Sequence, residues 1–139
     1  MRRAHARVVA QQPIELILLR HLASRLAVPV FIVDASGDMV YFNEPAETVL
    51  GRRFNEVREM PFEEWTTAFF PSGDGQLLDP NEIPLVVALR QRKPEHRELD
   101  ITDAHGASRR IGVTAFPIES SDRRELGAVA MFWELQGPG

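Results

Sequence analysis

The chain is predicted to fold as an α+β domain, a five-stranded antiparallel sheet with helices on one face and an N-terminal helix packing on the other. Three observations predict it. Short runs rich in β-branched and aromatic residues open the chain near Val30–Val33 and close it over residues 97–102, 109–118 and 126–133. Helical patterns are confined to residues 12–27 and to the stretches between the second and third strands. Residues 126–133, LGAVAMFW, are apolar on both faces, so the sheet needs a cover on each side.

Length and composition bound the answer. A chain of 139 residues with 44% hydrophobic content suits one soluble domain. With no cysteine, disulfides, thiolate metal sites and a cysteine nucleophile are excluded. No apolar stretch approaches the ~18 residues of a membrane span, and the N-terminus has no signal-peptide core, so a cytoplasmic protein without membrane contact is expected. The net charge of −4 is unevenly spread: residues 1–28 hold five arginines and one acid, and the remainder is acidic. An acidic body lacks the clustered basic face of a nucleic-acid binder, so no nucleic-acid partner is expected.

Residues 1–11, with Arg2, Arg3 and Arg7, read as a basic flexible tail. Residues 12–27, QPIELILLRHLASRLA, read as an amphipathic helix with Pro13 tolerated in its first turn. Its apolar residues sweep more than the ~100° stripe that one buried face requires. Such a helix needs a second apolar partner besides its own sheet, and a second copy of the chain is the natural one. Ile14, Leu18, Leu19, Leu22 and Leu26 are therefore expected to form a homodimer interface.

The domain proper is expected over residues 28–135. Val30–Val33 reads as a buried strand, Asp34-Ala-Ser-Gly37-Asp38 as a turn, and Met39–Phe42 as the returning strand of a hairpin. Asn43 suits the N-cap of a following helix, and Gly51 its left-handed end. Residues 52–70 show no clean period, and Met60-Pro61 breaks any long helix, leaving short helical turns. Trp65, Phe69 and Phe70 read as core or as a pocket wall. Pro71–Gly75 is a loop by composition. A helix over residues 81–92 follows, with Asp79 and Asn81 competing to cap it. The last three strands close the sheet, with Ile111, Val113 and Ala115 on one face of the middle strand.

These elements resemble a known family in their order. The segment D-A-S-G-D-M-V-Y-F-N-E-P-A-E-x-x-L-G-R from Asp34 to Arg52, then Trp65, the Pro71–Arg90 run and the closing L-G-A-V-A-M-F look like a PAS domain, the sensory module of many bacterial signalling proteins. The resemblance covers roughly residues 24–134. It implies a non-enzymatic sensor or interaction module with a cavity between sheet and helices. Many members of the family bind a small molecule there and pass its presence to an attached output domain, so a small-molecule ligand and a signalling protein partner are implied. The expected walls here are Phe31, Val33, Phe42, Leu50, Trp65, Phe69, Val86, Leu89, Ile101, Val113 and Met131, suited to a small apolar or flat ligand, with complete filling by these side chains as the competing reading. Because the chain stops at W-E-L-Q-G-P-G, it reads as a free-standing module.

Departures from the family's cofactor patterns are informative. Light-sensing LOV members carry a cysteine in N-C-R-F-L-Q for a flavin adduct, which this chain lacks, while non-covalent flavin stays open. Haem-binding members present a histidine from the long helix; residues 81–92 hold none, and His96 is the residual candidate. The four histidines are scattered without metal-ligand spacing. Ser120-Ser-Asp122 reads as a hairpin loop and Glu63-Glu64 as solvated. The remaining alternative is a cone-shaped α+β isomerase or hydrolase, for which Tyr41, Glu98 and Asp100 are the nearest ionisable candidates.

Overall fold

Asn43 shows how local chemistry assembles this fold. In the computed structural model, which describes residues 13–69, 71–73 and 75–135, its side chain is buried at a junction of three elements. These are helix α1 (Ile14–Ala23), strand β1 (Val30–Asp34) and helix α2 (Glu44–Leu50). Its Oδ1 accepts from Ala46 N at 3.2 Å, the N-cap bond of α2, and from Val30 N at 2.9 Å. Its amide nitrogen donates to the carbonyls of Ala23 and Val28, both at 2.9 Å. One residue thus starts α2 and ties the end of α1 to the sheet.

β1 turns back through Asp34–Asp38 into β2 (Met39–Phe42), with Asp34 Oδ1 accepting from Ser36 N and Asp38 N. Helix α2 ends at Gly51, where φ of 72° gives the left-handed cap and its N–H reaches the Glu47 carbonyl. Two short helices follow, α3 (Phe54–Val57) and α4 (Phe62–Ala68). Asp38 Oδ1 accepts from Phe62 N at 2.9 Å and Trp65 Nε1 donates to the Gly37 carbonyl at 2.8 Å, so α4 is pinned to the hairpin turn.

The loop predicted at Pro71–Gly75 instead contributes strand. β3 (Ser72–Gly73) and β4 (Gln76–Leu77) form a small hairpin that extends the sheet through Ser72 beside Asp100. Two-residue strands carry too little periodicity to be read from sequence. Asp79 does cap, accepting from Asn81 N while Glu82 bonds back to Asp79 N, but it caps a separate 3₁₀ turn at Pro80–Glu82. Pro84 disfavours the α conformation in the residue before it, so Ile83 is extended and α5 (Pro84–Gln91) begins afresh with Pro84 in its first turn.

Strands β5 (Glu95–Thr102), β6 (Ser108–Glu119) and β7 (Glu125–Glu134) complete an antiparallel sheet of seven strands among the described residues, in the order β2-β1-β7-β6-β5-β3-β4. The first strand therefore lies beside the last. Gly127 makes that pairing close: with φ of 150°, a Cβ there would lie 2.2 Å from the Val33 carbonyl oxygen. One face of the sheet packs under α2, α4 and α5 as the larger core. The other packs Val30, Ile32, Val40 and Val129 against Leu16 and Ala23 of α1. The helix ends at Ala23 rather than continuing to 27, with turn geometry and the Asn43 bonds taking over. The basic tail over residues 1–11 and the aromatic Phe70 lie outside the described residues.

Candidate functional site: an apolar cavity and the outer face of an N-terminal helix

Between the larger core's helices and the sheet lies a cavity of about 80 Å³, lined throughout by apolar side chains. Strand alternation supplies the floor: Phe31 from β1, Leu99 and Ile101 from β5, Ile111 and Val113 from β6, Ala130 and Phe132 from β7. Leu50, Trp65 and Phe69 come from the helical side, and Pro71, Ile83, Pro84 and Leu85 close the wall. Trp65 belongs to the core and lines the cavity, its ring centroid 5.4 Å from that of Phe31 and its indole N–H donating to the Gly37 carbonyl.

Of the eleven expected wall residues, Phe31, Leu50, Trp65, Phe69, Ile101 and Val113 line this cavity. Val33, Phe42, Val86 and Leu89 belong to the same core without lining it. Met131 does not belong to the set. It pairs opposite Val30 and packs with the α1 side of the sheet, while its neighbours Ala130 and Phe132 face the cavity. The period of two along a strand decides this, and a one-residue error in register exchanges the faces.

Arg52 was not singled out by sequence reading. It follows the Gly51 cap, and its guanidinium carbon lies 5.1 Å from the ring centroid of Phe69, a cavity wall. Its Nε is shielded from solvent with no hydrogen-bond partner, alone in that respect among the described residues. A basic residue after a helix end is too common to have signalled this.

The ionisable candidates lie elsewhere. Tyr41 packs on the α1 side beneath the Arg20 guanidinium, 5.0 Å from its ring, and burial raises its phenol above the ordinary value. Glu98 and Asp100 meet Arg110 at 3.7 and 3.3 Å on the outer face of β5. None of the three lines the cavity. His96 stacks on Trp133 at 5.9 Å and shares a hydrogen bond with Thr114 Oγ1, on that same outer face. Among the described residues no group of three or more His, Cys, Asp or Glu could hold a metal.

The other feature is the outer face of α1. Leu16 and Ala23 are fully buried, and Leu19 and Leu26 pack partly against the same cluster on the chain's own sheet. Ile14, Ile17, Leu18 and Leu22 are 65%, 50%, 62% and 55% exposed. The expected dimer set therefore divides: Ile14, Leu18 and Leu22 point outward, joined by Ile17, whereas Leu19 and Leu26 face partly inward.

A family model described as the PAS fold matches residues 23–137, so the chain belongs to the PAS-fold family. Solved structures agree on the fold. The PAS domain of Bordetella pertussis BvgS superposes with a TM-score of 0.66 at 19% identity, covering 90% of this chain and 89% of that one. The Rhodobacter sphaeroides LOV protein gives 0.68 at 15% identity, covering 89% and 69%. The PAS domain of nitrogen regulation protein NR(II) from Vibrio parahaemolyticus gives 0.60 at 16% identity, covering 85% and 98%. A search of curated proteins found no match. No helix among the described residues is long and apolar enough to cross a membrane.

Proposed function

We propose that this PAS domain is a non-enzymatic sensor and interaction module that signals through α1, as a homodimer, with a small apolar ligand in the cavity as its input. The observation that carries the reading is the apolar face of α1, unpartnered among the described residues, where four large aliphatic side chains stand half exposed or more on one short helix. Exposed apolar groups clustered in this way mark interfaces, and burying the exposed part of each against a second copy contributes about 1–2 kcal/mol. Asn43 supports the coupling, since it bonds both the end of α1 and the start of α2, whose Leu50 lines the cavity.

The non-covalent flavin alternative has less support. At about 80 Å³ the cavity is far below the ~300–1,000 Å³ typical of sites for drug-sized ligands. Sedimentation velocity tests the dimer: the chain is expected to sediment as a dimer at micromolar concentration and Leu18→Glu as a folded monomer. A wild-type monomer, or a dimer unchanged by the substitution, would remove the interface.

A further inference from the structure

We propose that the outer face of β6 and β7, paved by Trp133, receives α1 of a second copy of the chain. The inference rests on the reading of α1 as a dimer helix and adds the surface on the partner that takes it. Met131 packs on the α1 side of the sheet, so the period of two puts Val129 and Trp133 on that face of β7 as well. In the β6–β7 register Phe116, Thr114 and Gly112 stand opposite Val129, Met131 and Trp133, on the same face of β6. Val129 is covered by Leu16 and Ala23 of α1. Beyond that footprint the face is open among the described residues, with Phe116 36% and Trp133 41% exposed.

Trp133 is held ready for contact. Its ring lies over Gly112, where a Cβ would come within 2.8 Å of it, and stacks on His96 at 5.9 Å with 22° between the planes. His96 in turn shares a hydrogen bond with Thr114 Oγ1. A tryptophan already ordered by its neighbours gives up little freedom on docking, and tryptophan is among the side chains that dominate protein interfaces.

Area requires α1 to have such a surface. The exposed parts of Ile14, Ile17, Leu18 and Leu22 offer roughly 150–300 Å² of apolar surface. A stable interface takes ~800 Å² from each partner, a little over half of it apolar. Phe116 and Trp133 add roughly 100–200 Å², which brings the total into that range. A two-fold axis lets each α1 lie on the other copy's strip, so one symmetric interface covers both apolar surfaces. Charge favours this pairing over helix against helix. Residues 1–28 hold five arginines and one acid, and two such stretches side by side repel. The strip is instead bordered by Glu98, opposite Gly112, and Asp100, two carboxylates that share the single guanidinium of Arg110.

The test uses the full chain, whose lack of cysteine lets single introduced cysteines report contacts. Leu18→Cys and Phe116→Cys proteins are mixed, left to exchange subunits and treated with a short bismaleimide, and the linked peptides are identified by mass spectrometry. The expected product joins position 18 of one copy to position 116 of the other. In sedimentation velocity, Phe116→Glu and Trp133→Ala should each raise the dimer dissociation constant at least about tenfold, with circular dichroism confirming the fold. Should either variant unfold, the cross-link decides. A product joining position 18 to position 18, with both sheet variants dimerising like wild type, would overturn the strip and leave α1 paired helix to helix. A dimer giving neither product would overturn the strip as well. A monomeric wild type would remove the α1 reading itself, and this inference with it.

Discussion

Two polar side chains carry much of the specificity of this fold because each is buried and satisfied by several partners. Replacing Asn43 by alanine strips the α2 cap and leaves the Ala23 and Val28 carbonyls and the Val30 amide short of a partner. The expected cost is about 2–4 kcal/mol in urea unfolding, with faster amide exchange along α1. Asp103 is the second. It accepts from the Arg109 guanidinium at 2.8 Å and from the backbone amides of Ala107 and His105 at the β5–β6 turn. These bonds, that to Arg109 first, hold its carboxyl at about 2, below the ordinary carboxylate range. Because the folded value is depressed, the stabilisation is complete above the unfolded value near ~3.9 and is lost as the pH falls to about 2. Urea midpoints measured from about pH 5 down to about pH 2 should therefore fall further for wild type than for Asp103→Asn.

The helices here are short, and their stability comes from what they pack against. Helix α1 has 10 residues, fewer than the ~12–15 at which an isolated helix holds in water. Its order depends on Leu16 and Ala23 seated on β1 and β7 and on the Asn43 bond to Ala23. Leu16→Ala should destabilise the domain by about 2–4 kcal/mol, whereas Leu18→Ala should change monomer stability by less than about 0.5 kcal/mol. Chemical denaturation of the two variants at dilute concentration separates the inward face of the helix from the outward one. Equal effects would mean that both faces pack within one chain.

The whole molecule is two cores sharing one sheet. The outer core is closed by α1, and the inner one encloses a cavity that no single element could form. Ala130 stands on its floor with the smallest side chain of the wall. Ala130→Val adds two methyl groups there and suits a strand, so a gain of about 0.5–1 kcal/mol in thermal unfolding is expected. A loss of similar size would show that the wall is already closed around that position, as overpacking is destabilising too.

What could be read from residues alone was local. The Asp34–Asp38 turn, the Asn43 and Gly51 caps, the break at Pro61 and the two-sided apolar strand each announce themselves within a few residues, because their chemistry is satisfied nearby. Together their order was enough to identify the PAS fold. Long-range pairing decided the rest. Which residues of β7 face the cavity follows from its register against β1, and it put Ala130 and Phe132 inside and Met131 on the α1 side. Which leucines near the N-terminus stay exposed follows from how α1 sits on β1, and it turned Leu19 of α1 and Leu26 beyond its end partly inward. That Arg52 lies over Phe69 depends on two segments seventeen residues apart meeting in space. By itself the sequence determined the family and the longer elements, since caps, turns and hydrophobic periods act over one or two turns of chain. The tertiary structure alone decided the cavity and the exposed apolar face of α1, because these arise only where distant segments meet.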